Sequence, residues 1–248
     1  MFPMIVVTDQ IILPTYLLII SSAFSLALFW VLYRTKKSEL SSSFALDLCL
    51  VIMVFGFIGA RLFHVVYEEP IYYLQNPLAV LKVWQGGFVY YGGAISAFFA
   101  GLLYTNWRKE NVGQWADLMA PVAAGGYALG RLGCFFNGCC YGEICHWPWG
   151  VQFPHLEGLR HPTQLYAALI ELGIAIFLLQ IERRRPRWLK SGGVFLFWIM
   201  LHALNRMFME AFRADPRGTE LLGWSISSLI SLGLLIEAAR RLYKMKQP

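Results

Sequence analysis

The sequence predicts an all-α membrane protein: seven transmembrane helices, the N-terminus outside, the C-terminus cytoplasmic, and interfacial arms on the outer face. Three observations predict it. Charged residues make up 15% of the 248 and hydrophobic ones 57%, whereas soluble domains carry about 25% charged residues. Apolar runs near the length that crosses a hydrocarbon core of about 30 Å recur seven times. Basic residues cluster at alternate ends of those runs, the bias that sets orientation in a bilayer.

Met1–Gln10 has no basic segment, and the apolar run after it has no small-residue cleavage site, so the first helix is read as retained. That run, Pro14–Tyr33, ends in Arg34, Lys36 and Lys37. The second covers Phe44–Val66; the third, Gly86–Trp107, stops at Arg108 and Lys109. The fourth covers Gln114–Phe135. The fifth, Pro162–Gln180, leads to Arg183, Arg184, Arg185, Arg187 and Lys190. The sixth is Gly193–Phe212, and the seventh, Leu222–Ala239, precedes Arg240, Arg241, Lys244 and Lys246. These ends hold fourteen of the 21 basic residues and are assigned to the cytoplasm. The longest connections, Glu68–Gln85 and Phe136–His161, are rich in Trp, Tyr and Pro and read as the outer arms. Residues 1–248 form one polytopic domain without internal repeats. The net charge of +6 does not indicate nucleic acid, because the basic residues lie between apolar runs rather than over one polar face.

Seven basic residues have no topological reason for their place: Arg61, Lys82, Arg131, Arg160, Arg206, Arg213 and Arg217. An ionised Arg in a span costs at least about 2.5 kcal/mol, so it marks a functional site by default. Guanidinium also binds phosphate bidentately. The plainer reading pairs these arginines with Asp47, Asp117, Glu171 and Glu210.

Four segments could carry chemistry. In Gly130-Arg131-Leu132-Gly133-Cys134-Phe135-Phe136-Asn137-Gly138-Cys139-Cys140-Tyr141-Gly142, glycines surround one Arg; they permit close backbone approach to a ligand, or tight helix packing. Gly86-Gly87 and Gly92-Gly93 open the third helix, where free N–H groups can meet an anion. Arg160-His161-Pro162-Thr163-Gln164-Leu165-Tyr166 opens the fifth. In Asn205–Arg213, Arg206, Glu210 and Arg213 share a helix face.

Together with Phe212-Arg213-Ala214-Asp215-Pro216, these segments resemble the prolipoprotein diacylglyceryl transferase family over nearly the whole chain. The Gly-Arg-Leu-Gly…Asn-Gly signature is the most specific part. The resemblance implies a bacterial inner-membrane enzyme that moves the diacylglyceryl group of phosphatidylglycerol to a lipobox cysteine and releases glycerol-1-phosphate. Its partners would be phosphatidylglycerol, membrane lipids and the prolipoprotein at the outer face, with no cofactor. The alternatives are a diverged phospholipid-dependent transferase with another acceptor, or a lipid-binding protein without catalysis. Arg131 matches the signature Arg, Arg206 and Arg213 the sixth-helix arginines, and Asn137, Gly138 and Gly142 the later signature positions. Tyr16 and Arg61 match a Tyr of the first helix and an Arg of the second; Gly92, Gly93, Glu210 and His161 complete the expected substrate-binding set.

The chain departs from the family at informative places. The usual His before the second glycine pair is Tyr91, and a phenol with a pKa near about 10 is a poor base. A Tyr four residues before the sixth-helix Arg is His202. Arg131, Arg206, Tyr91 and His202 are therefore the expected catalytic residues, with His202 or His161 as a relocated base; the plainer reading of His202 is a satisfied hydrogen bond within the membrane. Cys134 and Cys139 replace a signature Asn and a Glu. Cys134, Cys139, Cys140 and Cys145 lie close together with His146 adjacent. Disulfides (for example Cys134–Cys139 with Cys140–Cys145), a metal site and free thiols all stay open. No metal ligands are assigned, because the C-x₂-C spacing of strong zinc motifs is missing.

Overall fold

The computed structural model describes residues 4–8, 11–154, 156–214, 220–221 and 224–247. Asp215, Pro216 and Arg217 lie outside them. The fold is all-α with a few short strands. Seven helices of 18 residues or more are present among the described residues: α1 (Thr15–Lys37), α2 (Ser42–Phe63), α4 (Tyr90–Trp107), α5 (Val112–Asn137), α6 (Thr163–Arg184), α7 (Gly193–Glu210) and α8 (Ile226–Lys246). Each overlaps one apolar run. Three are long and apolar enough to cross a membrane: Thr15–Lys37, Ser42–Glu68 and Thr163–Arg184. Large apolar side chains point outward, with Phe29 71%, Leu103 67% and Leu169 68% exposed, a surface suited to lipid rather than water.

The helix borders differ from the apolar runs for local reasons. α4 starts at Tyr90 rather than Gly86 because Gly86 and Gly87 have φ of +83° and +78°, outside helical space. A Cβ on Gly87 would also lie 2.4 Å from the His64 ring. α8 begins at Ile226 because Ser225 caps it, accepting from the Ser228 amide. Short antiparallel pairs escape the apolar pattern because they are so brief: β1 (Met4–Thr8) with β2 (Ile11–Pro14), β3 (Val151–Gln152) with β4 (Leu159–Arg160), and β5 (Glu220–Leu221) with β6 (Trp224–Ser225).

The chain divides into two compact units, residues 32–112 and residues 1–31 with 113–248. In the smaller, α2 and α4 run antiparallel along glycines. A Cβ on Gly59 would lie 2.0 Å from the Ser96 hydroxyl and one on Gly92 2.6 Å from the Gly59 carbonyl, while Gly93 abuts Gly56. Bare backbone at these positions lets the two helices approach closely, as small residues do at helix–helix contacts. The segment between them forms a π-helical turn (His64–Glu68), α3 (Pro70–Gln75) and two 3₁₀ turns.

In the larger unit, Ala120 and Ala124 of α5, Ile174, Ala175 and Leu178 of α6, Val194 of α7 and Leu242 of α8 form the core with Leu189. Asp117, almost fully buried, ties α5 to the start of α7. Its carboxylate accepts from the amides of Gly192 and Phe195, each at 3.0 Å, and meets Arg185 at 2.8 Å. A carboxylate at a helix N-terminus satisfies free donors and complements the dipole.

Candidate active site

The signature segment closes α5 with a cap that its glycine requires. Gly138 has φ +76°; its amide bonds to the Phe135 carbonyl at 3.1 Å, and the Cys139 amide bonds to the Cys134 carbonyl at 3.2 Å. This is a Schellman motif with Asn137 as the last residue and Gly138 in the left-handed conformation. Thr163 then donates to the Cys140 carbonyl at 2.6 Å, and the buried Gln164 to the Cys139 carbonyl at 2.5 Å.

Gly142 is where three motifs meet. Its amide donates to the His161 carbonyl at 2.9 Å, and the neighbouring Glu143 amide donates to the Phe212 carbonyl at 2.9 Å. A Cβ on Gly142 would lie 2.6 Å from the Phe212 oxygen, 2.7 Å from His161 Cβ and 2.9 Å from Thr163 Cγ2. Gly142 also pairs as an isolated bridge with Arg213. The His161 ring faces Phe212 and its Nδ1 meets the Tyr166 hydroxyl at 3.1 Å.

A polar chain crosses the interior of this unit. Arg131 donates to the Tyr127 hydroxyl one turn earlier in α5, and its guanidinium lies 4.7 Å from that ring's centre. The His202 ring stands edge-on to the same Tyr127, also at 4.7 Å. His202 Nδ1 lies 2.6 Å from Glu171 Oε1, which also accepts from Asn205 at 3.0 Å. Glu171 is wholly buried. A carboxylate behind an imidazole fixes its orientation and leaves the other ring nitrogen to act as a base. Arg206 makes an ion pair with Glu210 at 2.9 Å and donates to Ser227 at 2.8 Å.

The plainer reading of the carboxylates divides. Glu210 does pair with one of the unexplained arginines, Arg206, whereas Asp117 meets Arg185, Asp47 meets Arg108 and Glu171 meets His202. Tyr127 and the orienting role of Glu171 escaped sequence reasoning. Glu171 had a signal, a carboxylate in the middle of an apolar run, and His202 and Asn205 lie one turn apart facing it.

In the smaller unit, Arg61 is buried and engages carbonyl groups. It donates to Ala79 at 2.8 Å, Val80 and Gly87 at 3.1 Å each, Lys82 at 3.4 Å, and Gly86. Arg61 thus holds the segment leading into α4. Tyr91 lies in the first turn of α4, partly exposed, its ring edge-on to Tyr90.

The sequence profile of prolipoprotein diacylglyceryl transferase matches residues 3–243. The chain belongs to the prolipoprotein diacylglyceryl transferase family. Curated members include the phosphatidylglycerol–prolipoprotein diacylglyceryl transferases of Geobacter sulfurreducens, 36% identical over 72% of this chain and 69% of that protein, and of Clostridium tetani, 32% identical over 82% and 81%. That of Desulfotalea psychrophila is 32% identical over 83% and 76%.

Within the family frame, Tyr16 packs on the signature. A Cβ on Gly133 would lie 3.3 Å from its ring. Along α1, α5 and α6 runs an apolar groove of about 480 Å³, lined by residues including Ala23, Trp30, Leu129, Leu132, Leu165 and Leu172. The five cysteines are free thiols, so neither suggested disulfide is formed. Cys145 is buried near the Trp147 carbonyl. Side-chain hydrogen bonding with Cys134 and Cys139, and then the charges of Arg213 and Arg131, hold the Cys140 thiol below the ordinary thiol range.

Proposed function

We propose that this chain transfers the diacylglyceryl group of phosphatidylglycerol to the thiol of a lipobox cysteine and releases glycerol-1-phosphate. The observation that carries this reading is the Arg131–Tyr127–His202–Glu171 chain in a member of this transferase family, with Leu129 and Leu132, which flank Arg131 in sequence, lining an apolar groove. An acyl chain lies in the groove, which places the phosphate ester toward Arg131. The lipobox S–H proton passes to His202 Nε2, and the thiolate attacks the glycerol carbon bearing the phosphate ester. The C–S bond forms as the C–O bond breaks, and that electron pair departs on glycerol-1-phosphate. Fixed guanidinium in a water-poor site stabilises charge that appears only in the transition state.

The other residues support this centre. Arg206, fixed by Glu210 and Ser227, positions the end of α7. Arg213, Asn137, Gly138, Gly142 and His161 shape the headgroup pocket, and Tyr16 covers the signature helix. Arg61, Gly92 and Gly93 build the α2–α4 pair that carries Tyr91 in the first turn of α4. Residues 1–248 act as one polytopic domain with all seven long helices spanning a bacterial inner membrane, the N-terminus outside and the arms on the outer leaflet. The cytoplasmic ends carrying Lys and Arg support this orientation.

The test is incubation of purified protein with phosphatidylglycerol and a lipobox peptide, followed by mass spectrometry. A diacylglyceryl increment absent from the Cys→Ser peptide is expected. Phospholipid retained without released glycerol phosphate, while a family enzyme is active alongside, would make this chain a lipid binder instead.

A further inference from the structure

The thiols of Cys134, Cys139 and Cys140 play no part in the transfer described above, yet the backbone gathers them. The Schellman cap brings positions 134 and 139 together as side-chain neighbours, with Cys139 Sγ 3.7 Å from the Cys134 carbonyl oxygen. Cys140 follows with φ +63°, an uncommon conformation for a residue with a Cβ, and its sulfur lies 3.8 Å from that of Cys139. All three sulfurs fall within 4.8 Å of one another. The carbonyls of Cys139 and Cys140 are pinned to Gln164 and Thr163 at 2.5 and 2.6 Å, so the trio sits on fixed backbone.

The geometry points to a binding site for one thiophilic metal ion with a filled d shell, zinc(II) or copper(I), held by the sulfurs of Cys134, Cys139 and Cys140. With metal–sulfur bonds of about 2.3 Å, three sulfurs around one ion stand about 3.8 Å apart in a tetrahedral site and about 4.0 Å apart in a trigonal one. The cluster reaches either by contracting slightly. Soft thiolates select these ions over magnesium or calcium. A disulfide would use two of the three sulfurs and strand the third; a metal uses all of them. Three thiolates around either ion leave net negative charge on the site. Three protein ligands also leave a fourth tetrahedral position open. The missing C-x₂-C spacing does not count against the site, because the helix cap does the work that a zinc-knuckle turn does elsewhere.

The test uses the full chain in detergent, reduced and stripped with a chelator, then loaded with zinc(II) or copper(I) in separate arms. Elemental analysis after desalting is expected to find one metal per chain with at least one ion. The Cys49→Ser/Cys145→Ser variant should keep it. Cys139→Ser and Cys140→Ser should weaken binding by more than about a hundredfold, beyond the roughly 10–100-fold loss typical of outer-shell changes. Because a variant could misfold, alkylation of the unmutated chain supplies a second reading: bound metal should shield Cys134, Cys139 and Cys140 but not Cys49. Substoichiometric binding of both ions, uptake indifferent to the serine variants, or a mass 2 Da low from a disulfide in the protein before reduction would overturn the proposal.

Discussion

Glu171→Gln separates the charge of the buried carboxylate from its hydrogen bonds. His202 and Asn205 both meet the same oxygen, Oε1, at 2.6 and 3.0 Å, so the glutamine carbonyl can replace it. The other oxygen, Oε2, is buried without a hydrogen-bond partner, and the glutamine amine would take its place as an unsatisfied donor. Such a donor costs about 1–3 kcal/mol, and each kcal/mol lowers Tm by about 2–4 °C in a chain of this size. The catalytic loss is larger. A charge pair about 4 Å apart in an effective dielectric of about 20 is worth about 4 kcal/mol, and an imidazolium formed as His202 takes the thiol proton would lose that support. With both hydrogen bonds retained, kcat should fall about 10²–10³-fold, within the range that general bases supply. Initial rates of peptide lipidation at saturating phosphatidylglycerol, with thermal unfolding in the same detergent, measure both effects. A kcat within about threefold of the unmutated chain, alongside a lowered Tm, would leave Glu171 a purely structural residue.

Further predictions concern neighbouring contacts. Gly142→Ala forces a methyl against the Phe212 carbonyl, His161 and Thr163 and should destabilise by about 1–3 kcal/mol, read as a lower Tm with reduced transfer. Asp117→Ala strips the start of α7 of two hydrogen bonds and the Arg185 pair; it should lower stability by about 1–3 kcal/mol but leave kcat per folded molecule unchanged. Arg131→Ala should abolish transfer while the protein remains inserted in membranes, as quantified by membrane fractionation and peptide mass; full activity would remove Arg131 from phosphate binding.

Much of this architecture was legible because lipid imposes simple demands. Seven apolar runs foretold seven long helices, and the glycine-bracketed Arg131 marked the segment where three motifs meet at Gly142. What stayed hidden depends on pairs of residues distant in sequence. Nothing local to Glu171 says that His202 will face it, and nothing near Arg61 says that it will bind the carbonyls of residues 79–87. Gly86-Gly87 and Gly92-Gly93 read as a possible anion site; Gly92 and Gly93 lie against α2 at Gly59 and Gly56, a packing that the Gly56…Gly59 spacing could have suggested. The cysteine cluster was visible in the sequence, but which sulfurs converge was not, because a helix cap rather than a short loop brings Cys134, Cys139 and Cys140 together.

In the proposed reaction the proton acceptor is His202, held by Glu171, rather than Tyr91, which stands where the resemblance implies a histidine. Lipidation rates of His202→Phe and Tyr91→Phe, measured side by side on the same lipobox peptide, test it most directly. A loss of at least about 10²-fold is expected in His202→Phe, with activity within a few-fold of the unmutated chain in Tyr91→Phe. An active His202→Phe beside an inactive Tyr91→Phe would contradict it.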